Sequence, residues 1–158
     1  MGLSALDSVS QQVATHAHCP VVVVPRGRSP LVTRRICVGV AGGAADHPVL
    51  DFAGAQARGT EATLCLVHAR PAVAGGVPQE DGDAAAAYIR LHFPHVVVER
   101  AAVHADVIAA LQGEAARSDL LVLGCRHTEA EFGCRIGAVP AGVLAEVTCP
   151  VALVGRPG

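Results

Sequence analysis

Short apolar runs alternate with stretches of helical spacing along most of this chain, and that alternation constrains its fold more than any other feature. Ile36 to Val40, Ala62 to His68, Val96 to Val98, Leu120 to Leu123 and Val151 to Val154 read as strands. They are almost continuously apolar, as strands buried on both faces must be. The segments Asp46 to Arg58, Ala84 to Leu91, Ala105 to Ala116 and Val139 to Val147 between them read as helices. In the first of these, Val49, Phe52, Ala53 and Ala57 fall on one face, and Pro48 suits an opening turn. Gly42-Gly43, the stretch from Pro71 to Gly82 and the residues after Gly124 read as loops. A strand, helix, strand order needs crossovers, so the strands run parallel with helices on both faces. The expectation is an α/β, flavodoxin-like, doubly wound sheet of five strands.

At 158 residues, with 51% hydrophobic and 16% charged content, the chain has room for one well-buried domain and no second complete one. A formal charge of −2 gives no basic field for nucleic acid or an acidic membrane. The longest candidate for membrane insertion, Val21 to Val24, stops at Pro25, far short of the ~20 apolar residues a crossing needs. Met1 to Leu6 has no basic region before an apolar stretch, and Leu6 stands where a myristoylation pattern wants Ser or Thr. Cys19, Cys37, Cys65, Cys125, Cys134 and Cys149 are scattered without a Cys-x-x-Cys pair. Several sit inside apolar runs where small buried thiols are common, and the chain reads as reducing and cytoplasmic.

The two ends repeat. Val9, Val13, Cys19-Pro20-Val21 and Val24 recur 130 residues later as Val139, Val143, Cys149-Pro150-Val151 and Val154. Chance likeness of two apolar strands is the plainer alternative, and the shared Cys-Pro weighs against it. Residues 1–28 then read as the closing helix and strand of a partial first domain, 29–33 as a linker around Ser29-Pro30, and 34–158 as a complete domain.

Arg35-Ile36-Cys37-Val38-Gly39-Val40, Val67-His68-Ala69, Asp119-Leu120-Leu121-Val122-Leu123-Gly124 and Cys149-Pro150-Val151 resemble the landmarks of universal stress proteins. Ser8-Val9-Ser10 through His16-Ala17-His18-Cys19-Pro20-Val21 is similar to that family's closing helix and strand. The resemblance implies a stress-response regulatory module with no catalytic activity. It also implies that the last strands of two domains pair antiparallel, Val21 to Val24 against Val151 to Val154, in a homodimer or tandem pseudo-dimer. Such pairing covers an apolar edge that invites aggregation.

Members that bind ATP carry Gly, two residues, Gly, nine residues, then Gly-Ser or Gly-Thr, a loop whose N–H groups and hydroxyl approach phosphates. Here Gly124 and Gly137 keep the first and third glycines, His127 replaces the second, and Ala138 replaces the hydroxyl. Ala41 stands where the family tends to place an acidic residue that contacts the nucleotide, and Ala102 where a Gly is common. Asp7 matches Gly137 in the first copy, although Ser8 keeps a hydroxyl there. One lost charge-assisted hydrogen bond costs ~1.5–3 kcal/mol, a roughly ten- to hundredfold loss of affinity. The expectation is a degenerate nucleotide site without a cofactor. The runner-up is a switch that binds ATP with Mg, its phosphates met by Arg126, Arg135 and the N–H groups after Gly137. Solvated loop arginines are the plainer alternative.

Cys125, His127 and Cys134 offer thiolate and imidazole, but their spacing matches no standard zinc pattern, and an ordinary loop is favoured over a metal or thiol sensor. His68 ends a strand where open α/β sheets bind ligands, a place the family resemblance alone explains. No nucleophile elbow, Ser/His/Asp set or paired carboxylate gives an enzymatic role positive support.

Overall fold

Arg35–Val40 is buried at every position after its first, the pattern of a strand with helices over both faces. The computed structural model describes residues 8–27, 32–68, 80–101, 106–128 and 131–157. In chain order the elements are α1 (Ser8–His16), β1 (Val21–Val23), β2 (Arg35–Val40), α2 (His47–Thr60), β3 (Thr63–His68), α3 (Glu80–His92), β4 (Val98–Ala101), α4 (Val107–Ala115), β5 (Leu120–Thr128), β6 (Glu131–Arg135), α5 (Ala138–Leu144) and β7 (Val151–Arg156). A short 3₁₀ turn, Ala44–Asp46, leads into α2.

The sheet runs β1-β7-β5-β2-β3-β4, with β6 attached to β5. β7, β5, β2, β3 and β4 are parallel, and β1 pairs antiparallel with β7 through Val21↔Leu153 and Val23↔Val151. Among the described residues the sheet therefore has seven strands, two more than the five of the central parallel set.

Two apolar layers flank it. Val38, Val40 and Val122 pack with Val49, Leu50, Ala53 of α2 and Ile89 of α3. On the other face Leu121, Leu123 and Leu153 pack with Leu111 of α4 and Val143 and Leu144 of α5, joined by Ala14 of α1. α1 itself lies against β6. Within the first layer Gly54 lets α2 approach Phe93, since a Cβ there would sit 2.5 Å from the ring. α4 starts at Asp106, whose carboxylate accepts the Ile108 N–H at 2.9 Å as an N-cap.

Three sequence expectations need correction. The strand expected at Val96 to Val98 runs instead from Val98 to Ala101. Val96 donates to Phe93 O in the turn after α3, and Val97 O accepts from Leu64, so the first paired residue is Val98, two residues after the apolar run begins. The stretch after Gly124, read as a loop, is a hairpin: β5 continues to Thr128 and turns into β6, with an irregularity between His127 and Thr128. Cys125 is disulfide-bonded, which departs from the expectation of a reducing chain, while Cys19, Cys37 and Cys65 are free thiols.

Candidate functional site

The chain leaves β2 toward β3 and β4 on one side, then returns to β5 and β7 on the other. The direction reverses between β2 and β5, and the carboxyl ends of strands at such a reversal are where open α/β sheets bind ligands. Here that place is spanned by an ion pair.

After β2 the backbone passes through Gly42 at φ 104° and Gly43 at φ 84°, conformations that favour glycine. The turn brings Asp46 back under its own loop, where it is only 2% exposed. Its Oδ2 accepts the N–H of Ala41 at 2.8 Å and of Gly42 at 2.7 Å. Its Oδ1 accepts from Arg156 Nη1 at 2.9 Å. Arg156 lies near the end of β7, with β5 between it and β2, so its side chain must cross β5 to reach Asp46. It crosses at Gly124: a Cβ on Gly124 would lie 2.9 Å from Arg156 Cδ and 3.2 Å from Val49 Cγ2. The glycine that the sequence offers as a phosphate contact is the one over which an arginine passes.

The remaining site candidates fall around this clasp. Ala41 contributes its N–H. Arg126 is exposed and stands in register with Arg156 on one side and Arg135 on the other, a row of arginines across β7, β5 and β6. No carboxylate among the described residues pairs with Arg126. His127 stands opposite Cys134 in the hairpin; the side chains of His127, Cys134 and Arg135 lie outside those described. Gly137 is the extended N-cap of α5 and Ala138 its exposed first residue, with no side-chain cap. His68 ends β3, half-buried. Ala102 and Asp7 lie outside the described residues. Among the described residues no group of three or more His, Cys, Asp or Glu is arranged to hold a metal.

Asp46 and Arg156 were not singled out by sequence reasoning. They are 110 residues apart, and each has an ordinary local reading: a residue just before a helix and a polar residue just after the last apolar run. The available signal was the missing acidic residue at Ala41 with an aspartate five residues on.

A second ionic group lies at the opposite end of the strands. Arg35 Nη1 donates to Glu114 at 2.6 Å and its other arm faces Glu99 at 3.6 Å, while Arg117 also pairs with Glu114. Burial pushes Glu114 up, but the Arg35 hydrogen bond and charge, then Arg117, hold its carboxyl below the ordinary value. The Cys65 thiol donates to Glu114 at 3.6 Å, and burial, which Arg35 only partly offsets, pushes it up to about 11. Neither Cys65 nor Cys37, also pushed up chiefly by burial, has thiolate character at neutral pH.

Two cavities open near the clasp. One of about 140 Å³ is lined by Gly42, Gly43, Asp46, Leu50, His47 and Tyr88. His47 stacks on the Tyr88 ring at 4.1 Å between ring centres, His92 meets it tilted at 4.2 Å, and the Tyr88 hydroxyl donates to Asp51. The other, about 250 Å³, lies where Ala14, His18 and Cys19 of the N-terminal arm meet Phe52 and Leu153.

Residues 33–155 match the model of the universal stress protein family. No curated protein matches the chain. Among solved structures, a universal stress protein from Archaeoglobus fulgidus DSM 4304 aligns with a TM-score of 0.74 at 18% identity, over 96% of this chain and 56% of that one. A universal stress protein in complex with cAMP aligns at 0.58 and 26% identity, over 77% and 95%. One from Archaeoglobus fulgidus in complex with dAMP aligns at 0.57 and 20% identity, over 76% and 96%. The chain thus spans just over half of the first of these proteins and nearly all of the other two.

Proposed function

This chain belongs to the universal stress protein family, and from that premise we propose that it is a non-catalytic regulatory module that acts through binding, with a nucleotide crevice closed by its own ion pair. The observation that carries this is the clasp. Asp46 takes up the N–H groups of Ala41 and Gly42, and Arg156 lies across Gly124 to meet it. Donors and space at the strand reversal are committed within the chain, in line with the departures at Ala41, His127 and Ala138. The reading needs no cofactor and places the protein in the cytoplasm; among the described residues no helix is long and apolar enough to cross a membrane.

The reading also treats residues 1–28 as the tail of a first domain. What supports this is the 130-residue repeat together with β1, which gives β7 an antiparallel partner inside one chain and leaves Val22 and Val24 exposed. A homodimer through the same contact would require the arms to exchange.

The alternative, an ATP-binding switch, is supported by the row Arg156, Arg126 and Arg135 and by the likeness to universal stress proteins solved in complex with cAMP and dAMP. Calorimetric titration with Mg-ATP, alongside nucleotide analysis of the acid-denatured protein, decides between them. No heat up to millimolar ATP and no co-purified nucleotide is the expected result. Micromolar binding, or bound nucleotide carried through purification, overturns the proposal in favour of the switch.

A further inference from the structure

The clasp has the composition of an anion site. Two backbone N–H groups from a glycine turn converge on one carboxylate oxygen, and an arginine meets the other, at distances from 2.7 to 2.9 Å. Convergent N–H groups of this kind, with a guanidinium beside them, are how proteins hold phosphate and carboxylate oxygens. Arg126 adds positive charge next to Arg156 in register, and like charges directly opposite each other on neighbouring strands are unfavourable unless an anion intervenes. Asp46 neutralises Arg156; the exposed Arg126 has no carboxylate partner among the described residues.

We propose that the N–H groups of Ala41 and Gly42, with Arg156 and Arg126, form an oxyanion site whose resident occupant is the Asp46 carboxylate, so that Asp46 is the residue that excludes phosphate. The inference rests on the closed-crevice reading above and adds to it the cause of closure. The ligand class is a small oxyanion: inorganic phosphate or the phosphate of a mononucleotide. Asp46 is placed to win, because it is tethered five residues from one donor and buried against all three. A free anion must compete with an intramolecular one at high effective concentration.

The test compares wild type, Asp46→Ala and the double variant Asp46→Ala with Arg156→Met. Each is titrated with inorganic phosphate and with AMP by calorimetry, and its unfolding temperature is followed in sodium formate against sodium chloride at matched ionic strength. Asp46→Ala is expected to bind phosphate at least about tenfold more tightly than wild type, and to be stabilised by formate, the smallest substitute for the missing carboxylate. The double variant is expected to lose both effects. Phosphate and AMP binding equally assigns the site to the oxyanion alone, and tighter AMP binding assigns it to a nucleotide; either supports the proposal.

A folded Asp46→Ala that ignores both phosphate and formate overturns it, as does wild type binding phosphate as tightly as the variant. If Asp46→Ala fails to fold in chloride, the readout is refolding yield: recovery in formate supports the site, and equally poor recovery in both salts overturns it. Mg-ATP binding to wild type sinks the closed-crevice reading whatever the variant does. A folded variant that stays inert while wild type ignores ATP sinks this inference alone.

Discussion

Arg156→Met removes the guanidinium and keeps an unbranched side chain to cross Gly124, so it isolates the charge half of the clasp. Asp46, 2% exposed in the wild type, would keep its two N–H donors and lose its cation. Removing one partner of a fully buried pair costs about 3–5 kcal/mol. The Arg156 side chain is 21% exposed and solvent screens part of that interaction, so the expected loss is about 2–3 kcal/mol. For a chain of this length that lowers the unfolding temperature by about 5–10 °C. Urea unfolding monitored by far-UV circular dichroism measures it, with Asp46→Asn and the double variant completing a cycle whose coupling is expected to exceed about 1 kcal/mol. Hydrogen exchange at the Ala41 and Gly42 amides should quicken in both single variants. If Arg156→Met stays within about 0.5 kcal/mol of wild type, the ion pair does not hold the β2–α2 loop to β7, and the reasoning from closure fails.

Gly54→Ala should gain up to about 1 kcal/mol of helix propensity in α2, yet lose more by forcing a methyl into the Phe93 ring 2.5 Å away, for a net cost of about 1–2 kcal/mol in urea unfolding. A stabilised variant would show that the α2 to Phe93 contact is loose. Cys65 sits at about 11 in the native chain against an ordinary 9.0, so the unfolded chain releases this proton first. Stability should therefore fall as pH rises from 9 toward 11, by about 1.4 kcal/mol per unit for this thiol, and Cys65→Ser should flatten the slope; parallel profiles would refute the assignment.

The central strands were legible because both faces of β2, β3, β5 and β7 are covered, which demands unbroken apolar runs such as Ile36 to Val40. At β4 the same signal misled by two residues. It is an edge strand with a partly exposed Val-Glu-Arg-Ala sequence, whereas the more apolar Val96-Val97 is the turn before it. β6 was invisible for a related reason: Glu131–Arg135 is short, charged at both ends and glycine-containing, and its pairing with β5 is what marks it as a strand. Of the site, the sequence showed departures from the ATP-binding pattern at Ala41, His127 and Ala138, but not the Asp46–Arg156 pair. Asp46 and Arg156 meet only because β7 lies two strands from β2, and no local pattern records a contact across 110 residues.

The Asp46–Arg156 pair supplies this end of the sheet with a counter-charge from within the chain. A crevice lined by N–H groups and arginines accumulates positive potential, and a nucleotide's phosphates would relieve it at the expense of stability whenever the ligand left. Here the counter-charge is covalently part of the loop, so the β2–α2 turn and the end of β7 are joined at every ligand concentration. Gly124 is then required by the geometry of the clasp itself, because any side chain would obstruct Arg156.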